Sequence, residues 1–242
     1  MVFYQMIFIK FTSVLLLTTS LVFAGEIKIN DKVISYPVGA KIEYITSQLL
    51  AFSSPYWPGS HIRNKGSHQE SLALKADLVK SLQELMAENK DYKKVYLDVN
   101  YFNPFGRILI NLDPDWFRLR PADNPLLSGD YEVSLNQRPK YVQVLGATKQ
   151  SKKVRIANSP IHTGLIDRSL YLDLADLNYI YIIQPNGSVE KIGNAYWNYA
   201  ERDLMPGSII YVPIDESKLP AHMKNLNVEV MRLLASAEER AE

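Results

Sequence analysis

Cysteine is absent from the 242 residues. That excludes a disulfide framework, Cys-ligated zinc and thiol catalysis. A surplus of either charge is missing too. The chain has 27 Lys and Arg against 26 Asp and Glu, whereas a protein that grips nucleic acid by neutralising phosphates carries a basic excess. Only four histidines occur, His61, His68, His162 and His222, with no metal-ligand spacing. The eleven glycines are dispersed, so no glycine-rich phosphate loop is present. Neither Gly-x-Ser-x-Gly nor His-Glu-x-x-His occurs. No metal and no cofactor is expected. Hydrophobic residues at 47% and charged residues at 22% exclude a disordered chain.

Long apolar runs are lacking except at the start. Lys10 is the only charge before Glu26, and an apolar stretch over 11–23 ends in Val22-Phe23-Ala24. That order predicts a secretory signal peptide over 1–24, cleaved after Ala24. The run is shorter than the roughly 20 residues that span a bilayer. Removal of Lys10 leaves basic and acidic residues in equal number. The expectation is an exported, soluble product without stable membrane insertion, mainly monomeric.

Along the remainder, alternation predicts a hairpin over 26–36 about Asn30-Asp31, and 40–50 has helical spacing. Residues 53–68, with Pro55, Pro58, Gly59 and Gly66, read as a loop. A helix is predicted over 71–89, with Leu72, Leu78, Leu82, Leu85 and Met86 inward and Lys75, Lys80, Glu84 and Glu88 outward. Strands are predicted over 94–99, 108–112, 131–135, 141–145 and 153–156. A short helix over 165–177 follows, through Ile166, Leu170, Leu174 and Leu177. Strands over 179–184 and 188–192 flank Pro185-Asn-Gly187, and another runs over 208–214 after Pro206-Gly207. Each half thus reads strand, strand, helix, strands, an α+β pattern. Residues 217–242 predict one amphipathic helix from near Pro220, with Leu219, Met223, Leu226, Val230, Leu233 and Ala237 as its seam. The seam is expected to dock on the body, and the uncapped end to fray.

Two chemistries merit weighing. Asp113, Asp115, Asp123 and Asp130 lie in a Pro-rich stretch that suits turns; a carboxylate pair for glycoside hydrolysis is the alternative. Aromatic residues are plentiful: 15 Tyr, 8 Phe and 3 Trp. Tyr56-Trp57-Pro58, Asp115-Trp116-Phe117 and Tyr196-Trp197-Asn198-Tyr199 adjoin loop signals. Aromatic faces suit sugar C–H faces, while Arg and Asn suit hydroxyls.

Four segments together carry a resemblance. They are Ser54-Pro-Tyr-Trp-Pro-Gly-Ser60; Leu112-Asp-Pro-Asp-Trp-Phe-Arg-Leu-Arg-Pro121 leading to Asn124-Pro-Leu-Leu-Ser-Gly-Asp-Tyr131; Pro185-Asn-Gly187 with Ala195-Tyr-Trp-Asn198; and Pro206-Gly-Ser-Ile-Ile-Tyr-Val-Pro213. In that order the chain resembles the GfcC/YjbG family of periplasmic capsule and exopolysaccharide biosynthesis proteins. Its last two segments resemble the SLBB type of β-grasp domain. The resemblance implies two tandem β-grasp domains, over 25–140 and 141–216, with a helical insertion at about 54–91 in the first and the amphipathic helix over 217–242. It implies a non-catalytic accessory protein that binds polysaccharide or an envelope export protein, and a functional arginine in a cleft, matching Arg118 or Arg120. The candidate ligand contacts are Arg118, Arg120, Trp116, Asn124, Trp57, Trp197 and Asn198. The alternative function is an envelope carbohydrate-active enzyme using carboxylates of 113–130.

Overall fold

The computed structural model describes residues 23–29, 32–49, 55–156 and 163–239. Residues 1–22 of the expected signal peptide, the turn residues Asn30-Asp31, His162 and the last three residues lie outside them. In chain order the elements are β1 (Phe23–Ile29), β2 (Lys32–Pro37), α1 (Ile42–Leu49), β3 (His61–Asn64), α2 (Lys65–Glu88), α3 (Lys93–Tyr101), β4 (Phe102–Asn103), α4 (Pro114–Leu119), β5 (Tyr131–Ser134), β6 (Tyr141–Gly146), β7 (Lys152–Arg155), β8 (Tyr179–Ile183), β9 (Val189–Gly193), β10 (Ile209–Val212), α5 (Leu226–Ser236) and β11 (Glu238–Glu239).

Two mixed sheets follow one plan. The first has the order β2-β1-β5-β3 and the second β7-β6-β10-β8-β9. In each, an antiparallel hairpin opens the sheet and the last strand returns parallel to the first, β5 on β1 and β10 on β6. The third strand then pairs antiparallel with the last. A parallel pair requires a long crossover. In the first sheet that crossover includes α2 and α3, the helical insertion. This is a tandem β-grasp arrangement.

The helices distribute themselves unequally. In the first core, Ile27, Ile29 and Val133 of the sheet meet Ile42, Ile45 and Leu49 of α1 and Phe117 of α4. The second core joins the second sheet to Leu78, Leu82 and Leu85 of α2, Val95 and Val99 of α3, and Leu226, Val230 and Leu233 of α5. The insertion within the first sheet therefore supplies part of the second sheet's core. Asp98 of α3 fastens this packing: Oδ2 accepts from the Gly146 amide at 2.9 Å and Oδ1 from the Ser151 hydroxyl at 2.7 Å. Gly146 itself has φ +100°, and a Cβ there would lie 2.2 Å from the Val212 carbonyl oxygen.

Several expectations are corrected. Residues 93–101 form a helix, because Tyr92, Val95 and Val99 share a buried face at helical spacing while Leu97 is 49% exposed. The loop expected over 53–68 contains β3 and the start of α2. Asn64 ends β3 and caps α2 reciprocally: its side chain accepts from Ser67 N and Ser67 Oγ accepts from Asn64 N. In α2, Leu72 is exposed, and Lys75 bends inward to donate to the carbonyls of Asn100 and Phe102.

Residues 108–112 form no strand; only Ile108 bridges to Ile62. The helix expected over 165–177 is replaced by 3₁₀ turns at Thr163–Leu165 and Arg168–Leu170. Asp167 and Asp176 take the amides of Ser169 and Asn178, a local alternative to helix bonds. Leu177 is exposed. The terminal helix is confined to α5, preceded by 3₁₀ turns at Glu216–Lys218 and Ala221–Met223. Its seam docks as expected, with Leu219, Met223, Leu226, Val230 and Leu233 all buried. Residues 238–239, expected to fray, pair antiparallel with β4. Among the described residues no helix is long and apolar enough to cross a membrane.

Candidate functional site

A cleft of about 500 Å³ lies between the two sheets, and Arg107 forms part of its wall. Several segments converge to place that side chain. Gly106 has φ +78°, and a Cβ there would lie 2.2 Å from the Ser67 carbonyl oxygen, so glycine lets the chain pass the first turn of α2. The amides of Gly106 and Arg107 both donate to the Ser236 carbonyl at the end of α5, at 3.0 and 3.1 Å. The guanidinium donates to the carbonyls of Pro58 and Ser60, each at 3.3 Å, and to that of Pro185.

Burial lowers the Arg107 pKa to about 10, which still leaves it a cation at neutral pH. Its Nε is buried and lacks a hydrogen-bond partner. A cation held by carbonyl dipoles in the wall of a cleft suits a carboxylate or a hydroxyl.

Opposite elements add a polar cluster. His61 Nε2 lies 3.0 Å from Glu238 Oε1 and 3.1 Å from Asn136 Nδ2. In a neutral ring Nε2 accepts from Asn136 Nδ2, the approach to Glu238 Oε1 is one of charge rather than a formed hydrogen bond, and the buried Nδ1 is left without a partner. Burial pushes the His61 pKa down, its contact with Glu238 pushes it up, and the Arg107 charge adds to the lowering; the balance is below the ordinary value. For Glu238, burial raises the pKa, but contacts with His61 and Ser134 bring it on balance below the carboxylate norm. Asn136 also donates from Nδ2 to the Gly59 carbonyl at 2.8 Å. Gln137, Arg138, Gln143 and Gln184 complete a wall rich in amides that both donate and accept.

None of the seven sequence-derived candidates lines this cleft. Arg118 is exposed and pairs with Asp115 at 3.0 Å, three residues away on α4. Arg120 stacks on the Trp116 ring at 4.3 Å, and Trp116 packs against the first core. Asn124 is buried in a structural role: Oδ1 accepts from the Glu43 amide, and Nδ2 donates to the Glu43 carboxylate. Trp57 is half-buried against the first core, in the 3₁₀ turn that leads to the cleft residue Gly59. Trp197 is exposed, and Asn198 pins its own turn. Two other arginines, Arg107 and Arg138, do line the cleft.

The carboxylates of 113–130 are equally dispersed. Asp113 caps α4, Asp115 pairs with Arg118, and Asp130 accepts from the Glu26 amide at 2.9 Å. Among the described residues no group of three or more His, Cys, Asp or Glu is placed to hold a metal ion.

Gly59, Pro185 and Gly207 of the cleft lining come from segments that carried the resemblance, whereas 112–131 and 195–198 contribute nothing to it. Residues 23–138 match the family described as Capsule biosynthesis GfcC, N-terminal, and residues 152–237 match Capsule biosynthesis GfcC C-terminal. The chain belongs to the GfcC family. An Escherichia coli (strain K12) protein described as "Uncharacterized protein YjbG" is 30% identical over 188 residues, which cover 75% of this chain and 76% of that protein. Membership gives a non-catalytic accessory role in capsule and exopolysaccharide biosynthesis, in a family that is periplasmic and associated with polysaccharide export systems.

Proposed function

We propose that the chain is exported through a signal peptide cleaved after Ala24, and that it acts as a monomer holding a segment of the polysaccharide in the cleft at Arg107. The observation that supports this reading most is the Arg107 guanidinium, anchored on three backbone carbonyls, in a cleft walled by amides. A saccharide presents hydroxyls, and in acidic polymers carboxylates, that match forked and amide donors. The same wall is built from both sheets and the end of α5, so ligand contact would couple all three. Prebuilt polar geometry of this kind favours binding, since little ordering cost remains to be met.

The test is affinity electrophoresis of the purified mature protein in gels containing exopolysaccharide isolated from the producing cells. Arg138→Ala and Gln137→Ala alter cleft residues that lie near the surface and leave the core intact. Arg107→Lys keeps the charge but removes the fork. Retardation lost in these variants, with melting temperatures kept for the first two, is the expected result. Retardation equal to wild type in all three overturns the proposal.

A further inference from the structure

The second sheet carries a surface feature remote from the cleft. Of the three tryptophans, Trp57 and Trp116 pack against the first core, but Trp197 is 68% exposed and its neighbour Tyr196 is 99% exposed. Tyr199 in the same turn is half-exposed or more. Exposed aromatic residues grouped on one turn forgo the burial that ordinarily rewards such rings.

This turn is nevertheless rigidly built. Asn198 Oδ1 accepts from the Ala195 amide at 2.8 Å, the Asn198 amide donates to the Ala195 carbonyl at 3.2 Å, and Asn198 Nδ2 donates to the Asn178 carbonyl at 3.1 Å. The Ala200 amide returns to the Gly193 carbonyl at 3.0 Å. Gly193 is required by the closeness of the approach: a Cβ there would lie 1.9 Å from the Asn198 carbonyl oxygen. Beneath the turn, Asn194 donates to the buried Tyr171 hydroxyl at 2.9 Å. The polar side chains thus hold the backbone, and the aromatic ones are left facing outward.

Neighbouring groups extend the surface. Trp197 meets Tyr179 edge to face, with centroids 6.5 Å apart. Lys191 Nζ lies 4.0 Å from the Tyr179 ring centroid and 5.9 Å from that of Tyr181. Glu190, next to it on β9, is engaged by Arg202 at 3.1 Å. The result is a fixed aromatic ledge with one ammonium group at its side. Trp197, Tyr196, Tyr179 and Lys191 all lie outside the lining of the Arg107 cleft.

We infer that this ledge, formed by Tyr196 and Trp197 on the 194–199 turn, is a second glycan-contact site, on which pyranose rings of a polysaccharide stack by their C–H faces. The choice of occupant rests on three observations. The exposed groups are flat rings on a preformed turn, the geometry that a sugar face matches. The adjacent Lys191 offers a donor to ring hydroxyls or an acidic substituent. The chain also belongs to a family that serves polysaccharide biosynthesis. Two sites on one chain allow a long polymer to be held at both, which raises avidity without new contacts.

The experiment measures binding of exopolysaccharide isolated from the producing cells, by affinity electrophoresis, for Trp197→Ala, Tyr196→Ala and Trp197→Phe beside Arg138→Ala. Trp197→Ala should weaken binding roughly tenfold, and Trp197→Phe should stay within about threefold of wild type. Melting temperatures should be unchanged, since both rings are exposed. Trp197→Ala bound as tightly as wild type overturns the inference, as does a Trp197→Phe variant as weak as Trp197→Ala. If Arg138→Ala loses binding and Trp197→Ala does not, the cleft alone is the glycan site. Glycan binding kept by Trp197→Ala while an export protein ceases to co-purify assigns the ledge to a protein partner instead, and also overturns it.

Discussion

The Tyr56 hydroxyl donates to the Pro206 carbonyl at 3.1 Å across 150 positions of sequence. It binds the turn before β3 to the turn before β10, and so fixes one rim of the cleft. Nearby, the Gly207 amide donates to the Tyr141 carbonyl at 2.8 Å. The Pro206-Gly207 turn is thus bonded both to the first half and to β6, and Arg107 is bonded to the Pro58 and Ser60 side of the same cleft.

Processing after Ala24 should leave the fold whole. Ile27 and Ile29, the buried residues of β1, lie beyond the cut, and Phe23 is exposed. Amino-terminal sequencing of periplasmic extract should begin at Gly25. Retention of Met1 in a membrane fraction contradicts this.

Acid should weaken the cleft through His61. Its folded pKa is lowered, by burial first, while the unfolded side chain keeps its ordinary value near 6.5. Stability from the neutral ring is therefore full above the unfolded pKa and is lost as pH falls through the folded one. The slope cannot exceed about 1.4 kcal/mol per pH unit for this one proton. Glu238, also lowered on balance, acts in the same direction at lower pH. Thermal melts between about pH 7.5 and 5 should show a decline that His61→Gln flattens.

Docking of α5 should be worth much of the stability. Leu233 is fully buried in the second core, and Leu233→Ala should cost about 2–5 kcal/mol in urea unfolding. The Leu226→Asp, Leu233→Asp double variant should not fold, because two charges would enter that core. A melting temperature equal to wild type for the double variant shows an undocked helix.

Gly193→Ala should strain the aromatic turn without touching the cleft. The added methyl meets the backbone carbonyl of Asn198, and such overpacking costs about 1–3 kcal/mol. Faster hydrogen exchange of the Ala195 and Ala200 amides, with the Arg107 amide unchanged, is the expected pattern.

Sequence periodicity revealed the tandem strand pattern and the terminal seam, and it failed where two periods fit the same residues. Val95, Leu97 and Val99 satisfy alternation, yet Val95 and Val99 also stand four apart; contact with the second sheet decides for the helix. β3 escaped notice because His61-Ile-Arg-Asn64 is short and polar, and its partner β5 is far along the chain. Arg107 had no signature at all. Its partners are backbone carbonyls from Pro58, Ser60 and Pro185, whose side chains say nothing of the contact. Trp197 and Asn198 were named from sequence together, but only the structure separates an exposed ring from an amide bonded into its own turn.

The sharing of α2 and α3 with the second core imposes an order in time. As the chain emerges from its amino terminus, Leu78, Leu82, Leu85, Val95 and Val99 appear before any strand they are to cover. Their apolar faces wait, uncovered, until β6, β8 and β10 have followed. A nascent first half is therefore an incomplete object whose helices are prone to sticking to one another or to other chains. Completion follows when α5 closes over the sheet and β11 reaches back to β4 as a final stitch.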